Sequence, residues 1–231
     1  MTAALIVAHG QPSDPLPAAA ELARLADRVA ALLPDHDLAA ATLAEPGALA
    51  RATAGRAPGV VFPLFMAGGW FTRHLIPARL AEAGATGWQV LEPFGCDPAV
   101  QDLAVRIAAQ SGAARVLLAA HGSSKSPAPS AIARYLAARI TAATGAEAAA
   151  AFIDQTPRLA LATGYGADAV CLPFFAMPGG HVTTDLPAAL AEAGFGGRLL
   201  PAVGQHPDVP ALIARAIVAA APVCAGACRW A

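Results

Sequence analysis

Two histidines stand where imidazole chemistry has a use. His121 opens "HGSSK" (121–125), directly behind the apolar run "RVLLAA", and His181 stands in "PFFAMPGGHVTTDLP" (173–187), which begins like a buried strand and ends like a helix. Near pH 7 a neutral imidazole presents a nitrogen lone pair, so two together can ligate a divalent metal, and either can accept a proton. A single histidine beside a glycine is more often a loop residue bonded to backbone, so the functional case depends on pairing. Asp185 follows His181 by four residues at a helix start, where it either orients the ring or favours the helix N-terminus. Ser123, Ser124 and Lys125 offer hydroxyls, N–H groups and a cation to carboxylates, or else only shape the loop.

The same frame occurs earlier in the chain. "PLFMAGGWFTRHLIPARLAEAG" (63–84) matches "PFFAMPGGHVTTDLPAALAEAG" (173–194) at a spacing of 110, and "LIVAHG" (5–10) matches "LLAAHG" (117–122), with His9 and His121 112 positions apart. "LEPFGCDP" (91–98) resembles "LLPAVGQHP" (199–207) in the same order. Three ordered matches at nearly one spacing indicate an internal duplication, with halves at 1–113 and 114–231. The first half keeps His9 but carries Phe71 in place of His181, and His74 stands three residues later. This half is therefore expected to have lost the pair, with Trp70 and Phe71 forming either an aromatic wall for a flat ligand or part of the core. Asp154 and Glu45, near the ends of the second strands, are candidate proton or metal relays, with surface placement the plainer expectation.

The elements that must position these residues alternate in kind. In the first half, "ALIVA" precedes a helix around Ala18–Leu33 with Leu22, Leu25, Val29 and Leu32 on one face. Then follow "DLAAATL", a short helix near Gly47–Ala54, "GVVFPLF", a helix from about Arg73, "WQVLEP" and a helix from about Pro98. The second half repeats this with "RVLLAA", a helix over Ala128–Ala143, "AAAAFI", a short helix, "DAVCLPFF", a helix from about Thr183, "RLLPAV" and a helix over Val209–Ala220. Short uninterrupted apolar strands with intervening helices indicate parallel sheets covered on both faces. The fold class is thus α/β, two lobes each with a four-stranded parallel sheet. With strand order 2-1-3-4, the first and third strands are neighbours about 4.8 Å apart, and His121 and His181 emerge together beyond their carboxyl ends.

Composition narrows the remaining possibilities. Of 231 residues 56% are hydrophobic and 13% charged, the opposite of a disordered chain. A formal net charge of -1 gives no general attraction to nucleic acid or an anionic membrane, so any anion-binding surface must be local. The longest apolar stretch, Ala216–Ala227, is interrupted by Pro222 and falls short of the roughly 20 residues of a spanning helix. "MTAALIVAHG" lacks the basic start and long apolar run of a signal peptide, and a cytoplasmic protein is expected. Cys224 and Cys228 lie close together near the end, and two thiols are too few for a closed metal or cluster site. They read as reduced thiols of a tail.

The "AHG" after each first strand, "HGSSK" (121–125), "AFIDQTP" (151–157), "LLPAVGQHP" (199–207) and above all "PFFAMPGGHVTTDLP" (173–187) resemble the class II tetrapyrrole chelatases, specifically the CbiX-type sirohydrochlorin chelatases. The match runs over nearly the whole chain as a tandem duplication. The resemblance implies two flavodoxin-like lobes facing each other across a cleft for a flat macrocycle, and insertion of Fe²⁺ or Co²⁺ without an organic cofactor. The family's two metal-handling histidines fall on His121 and His181. Longer members commonly carry that pair in the first half, so roles copied onto His9 and His74 are those of accessory residues, as are those of Asp185 and Asp154. Ser123, Ser124, Lys125 and Arg73 are the candidates for the carboxylates around the rim of such a substrate. Iron insertion to form sirohaem is the leading expectation, by a monomer whose partner is the tetrapyrrole. Cobalt insertion towards cobalamin and a non-catalytic tetrapyrrole or metal carrier are the alternatives. A phosphotransfer enzyme ranks last, because Ala8 and Ala120 precede the histidines where an arginine would serve phosphate, and no glycine-rich phosphate fingerprint follows a strand.

Overall fold

The computed structural model describes residues 1–224 and 229–230. Two four-stranded parallel sheets form, with orders β2-β1-β3-β4 and β6-β5-β7-β8. The first sheet comprises β1 (Thr2–Ala8), β2 (His36–Thr42), β3 (Val60–Pro63) and β4 (Gln89–Val90). The second comprises β5 (Arg115–Ala120), β6 (Glu147–Phe152), β7 (Ala169–Pro173) and β8 (Arg198–Leu199). The helices are α1 (Pro15–Ala30), α2 (Ala48–Thr53), α3 (Ile76–Glu82), α4 (Pro98–Ser111), α5 (Ala128–Thr144), α6 (Leu186–Glu192) and α7 (Val209–Ala219). The expected 2-1-3-4 order holds in both sheets, and the registers Val7↔Pro63 and Ala119↔Pro173 bring the carboxyl ends of first and third strands level.

The central strands form because their sequences are apolar beyond the opening Thr2 and Arg115 of β1 and β5. Leu5, Ile6, Val7, Leu117, Leu118, Cys171 and Leu172 are fully buried, and each large aliphatic among them contributes about 1.5–3 kcal/mol by leaving water. The α1 face buries Leu22, Leu25, Ala26 and Val29. Leu32 does not join them: the helix ends at Ala30, and Leu33 takes the buried position instead.

Before α3 and α6 the chain makes a five-residue π turn, Phe71–Leu75 and His181–Asp185, where the sequence suggested an ordinary helix from about Arg73 and Thr183. The cause is a proline one residue into each following helix, Pro77 and Pro187. A proline has no N–H to give and crowds the carbonyl four residues back, so the turn opens. The N–H groups of Ile76 and Leu186 accordingly reach the carbonyls of Phe71 and His181.

Packing divides the chain differently from the repeat boundary at 113/114. One compact unit holds Met1–Asp97 with residues 207–224, and the other holds Pro98–His206 with 229–230. The closing helix of each repeat is exchanged: α7 packs on α1 and β3 in the first unit, while α4 packs on α5 in the second. Beyond α7 the chain runs along β4, with the Val223 N–H donating to the Val90 carbonyl at 2.9 Å. In the second unit the Arg139 guanidinium reaches Asp102 of α4 at 2.7 Å.

Among the described residues no helix is long and apolar enough to cross a membrane. Cys96 and Cys171 are buried thiols and Cys224 is half-buried. Cys228, the second thiol of the terminal motif, lies outside the described residues.

Candidate active site

The buried run of β5 ends at Ala120, and His121 is the first residue beyond it. Its Nδ1–H donates to the Gly122 carbonyl at 3.0 Å. Gly122 turns the chain at φ 76°, and a β-carbon there would lie 2.8 Å from the Gln155 Cβ and 3.0 Å from the Phe152 Cβ. Only glycine fits both the angle and the space. The segment after β6 fixes the other side, since the Asp154 N–H donates to the His121 carbonyl at 2.9 Å.

His181 opens the π turn after β7, and its Nδ1–H donates to Asp185 Oδ2 at 2.7 Å. The two imidazoles meet edge to face, with ring centroids 4.5 Å apart and planes at 81°. Carbonyl and carboxylate oxygens only accept, so each Nδ1 carries the proton. In neutral rings both Nε2 atoms then present bare lone pairs, the arrangement a metal ligand needs. Asp154 Oδ2 lies 3.5 Å from His121 Nε2, longer than a hydrogen bond. Among the described residues no group of three or more histidine, cysteine or acidic side chains is arranged to hold a metal. The chemistry offered is therefore a pair of nitrogens with carboxylates beside them.

The first half builds the same corner differently. His9 Nδ1–H donates to the Gly10 carbonyl at 3.0 Å, and the ring meets Phe71 at 4.8 Å and 68°. Phe71 stacks on Phe65 and meets Trp70 edge-on. Trp70 is 60% and Phe71 37% exposed, so the aromatic pair is not core. The Ala44 N–H donates to the His9 carbonyl as Asp154 does to that of His121, which makes Ala44 the counterpart of Asp154. Leu75 closes its π turn where Asp185 closes the other. Both carboxylates are thus absent where the second imidazole is absent.

The remaining predicted residues divide. The Ser123 hydroxyl oxygen accepts the N–H groups of Lys125 and Ser126 at 3.1 Å each, so it shapes the loop, while Ser124 and the Lys125 side chain are exposed. Arg73 donates to the Cys224 sulfur at 3.0 Å. His74 is exposed within the first π turn. Glu45 pairs with Arg51 and stands at the position of Gln155, not of Asp154. Gln155 itself escaped the sequence reading. Its Oε1 accepts the Ser123 N–H at 3.0 Å, and the signal available was a polar amide beside "HGSSK" in the "AFIDQTP" segment.

Duplicated four-stranded parallel sheets with histidines at their strand tips define a protein of chelatase-like α/β fold. Residues 115–220 match the CbiX family model. A solved structure described as CbiX, the terminal enzyme for biosynthesis of siroheme in denitrifying bacteria, is 48% identical, with 94% of this chain and 98% of that one aligned at a TM-score of 0.87. The chain belongs to the CbiX family. SirB from Bacillus subtilis with Fe³⁺ is 19% identical at a TM-score of 0.71 over 96% of each chain, a likeness of fold. The sirohydrochlorin chelatase SirB from Bacillus subtilis subspecies spizizenii in complex with cobalt is 20% identical at 0.69 over the same shares. Among curated proteins no sequence matches.

Proposed function

We propose that this chain is a sirohydrochlorin chelatase that inserts Fe²⁺ to form sirohaem, acting as a cytoplasmic monomer without an organic cofactor. The observation that carries the reading is the contact of the His121 and His181 rings at 4.5 Å, each with its Nδ1 tied to an oxygen. The 48% identity to a protein described as the terminal enzyme of siroheme biosynthesis supports the substrate.

Insertion requires two pyrrole N–H protons to leave before the ion is enclosed. The two Nε2 atoms hold the incoming Fe²⁺, the substrate ion, with fewer ligands than the four of a closed structural site, so it stays transferable. As the ion passes to the macrocycle, a vacated Nε2 takes one proton as general base. The second goes to the Asp154 carboxylate or to solvent. Asp185 holds the His181 ring in the tautomer that keeps its Nε2 bare. Lys125 meets the acidic rim of the substrate as an exposed cation. Insertion of Co²⁺ is the second reading, favoured by the imidazole pair, which suits either ion, and by the cobalt in the related SirB structure.

Anaerobic absorbance of sirohydrochlorin with Fe²⁺ or Co²⁺, with and without the protein, tests this. His121→Ala and His181→Ala should each lower the insertion rate by about 10²-fold or more, the scale of general-base loss, and His9→Ala by far less. Equal rates in all three variants would refute the site. Tight binding of sirohydrochlorin with no faster insertion would identify a carrier instead.

A further inference from the structure

We propose that Gln155 is a positioning residue for the metal-holding pair, acting through the His121 loop, an inference that rests on the chelatase reading. Its amide makes two bonds in opposite directions. Oε1 accepts the Ser123 N–H at 3.0 Å, and Nε2 donates to Ser130 Oγ at 3.2 Å. Ser130 is 3% exposed, and its own hydroxyl donates to the Pro127 carbonyl at 3.0 Å. One side chain therefore ties the residue two places after His121 to the buried first turn of α5.

The surroundings leave this link little slack. Next to it the Asp154 N–H holds the His121 carbonyl at 2.9 Å. The Gly122 backbone runs so near that a β-carbon there would fall 2.8 Å from the Gln155 Cβ. Only an amide fills the role unchanged, because a donor and an acceptor are used at once. The first half shows what happens without the role: the counterpart there is Glu45, whose carboxylate turns to Arg51, and no second imidazole needs alignment. Groups that orient a ligand without touching the ion change metal affinity or activity by about 10–100-fold when removed.

Gln155→Met keeps the length and bulk and removes both bonds, while Gln155→Glu keeps the acceptor for Ser123. Co²⁺ alone is titrated anaerobically into the wild type and both variants, and its visible d–d spectrum and Kd are read. The kcat and KM for sirohydrochlorin and the melting temperature are measured alongside. Gln155→Met should weaken Co²⁺ binding and lower kcat about 10-fold, with an altered d–d spectrum and a KM within about twofold of wild type. Gln155→Glu should recover most of the kcat. A wild-type spectrum and kcat in Gln155→Met overturn the proposal. So does a loss of kcat that only follows a lowered melting temperature, with the Co²⁺ spectrum unchanged. Should Gln155→Met not fold, Gln155→Leu, which also removes both bonds, is read by the same criteria. A wild type that binds Co²⁺ but inserts no metal defeats the chelatase reading, and the Co²⁺ titrations still decide the role of Gln155; a wild type that binds none overturns both.

Discussion

The two halves place a histidine at the same strand tip and then part company. Behind His121 stand His181, Asp154 and Asp185; behind His9 the same places hold Phe71, Ala44 and Leu75. Everything that merely shapes the corner is shared: the glycine after the histidine with positive φ, the Nδ1 bond to that glycine's carbonyl, and the π turn set by a proline. At these three places the groups that offer a charge or a second lone pair are confined to one half. A carboxylate beside an imidazole steers its proton, and the His9 ring has none at the place of Asp154. The scaffold and the chemistry are therefore separable, and each can be removed without the other.

The strongest way to break the comparison is to make the second half like the first. His181→Phe should abolish most metal insertion, by about 10²-fold or more, while leaving the melting temperature near that of the wild type. The reverse change, Phe71→His, should create no Co²⁺ site visible by titration, since Ala44 and Leu75 supply no carboxylate. A new Co²⁺ spectrum from Phe71→His alone would show that the supporting residues are dispensable.

Next in size are the two turn glycines. At Gly10 a β-carbon would meet the Thr42 Cβ at 2.8 Å and the Ala44 Cβ at 2.9 Å, and at Gly122 it would meet the Gln155 Cβ at 2.8 Å. Strained φ and overpacking together should cost about 2–5 kcal/mol in either alanine variant, read as similar falls in denaturation midpoint. At a temperature where both remain folded, only Gly122→Ala should slow insertion. Equal slowing would mean that the first corner takes part in the reaction.

A smaller effect is expected at Asp185. Asp185→Leu copies Leu75 and removes the partner of His181 Nδ1, so the ring can turn and change tautomer. Insertion should fall about 10-fold, with Co²⁺ affinity falling alongside it. Leu75→Ala should leave the insertion rate unchanged.

Much of this corner is legible in the sequence because parallel sheets bury whole strands. "RVLLAA" is apolar to its last residue, so the strand ends where His121 begins, and the 110-residue spacing carries the same boundary onto β1. The pairing of His121 with His181 follows once the first and third strands are neighbours. Helix periodicity, by contrast, shows which face of α4 or α7 is buried but not which sheet it covers, so the exchange of the closing helices left no mark. The fourth strands are shorter than "WQVLEP" and "RLLPAV" suggest, since only Gln89–Val90 and Arg198–Leu199 pair with the third strands. Gln155 was hidden for a different reason: its two bonds run to a backbone N–H and a buried serine far apart in sequence, and no periodic pattern records such a link.

The last difference between the halves lies below the site, in the third strands. Cys171 of β7 occupies the place of Val61 in β3, and both are fully buried. Burial pushes the Cys171 thiol from the ordinary 9.0 up to about 12. Between those two values the unfolded chain releases a proton that the folded chain retains, so stability falls as pH rises above about 9. The loss from this one group approaches about 1.4 kcal/mol for each pH unit within the window and is absent at pH 7. Cys171→Val, which copies the first half, should leave the urea midpoint at pH 7 nearly unchanged and raise it relative to wild type at pH 10.5. An identical alkaline decline in both proteins would show that Cys171 ionises freely, and that the second sheet is less tightly closed over its third strand than the first.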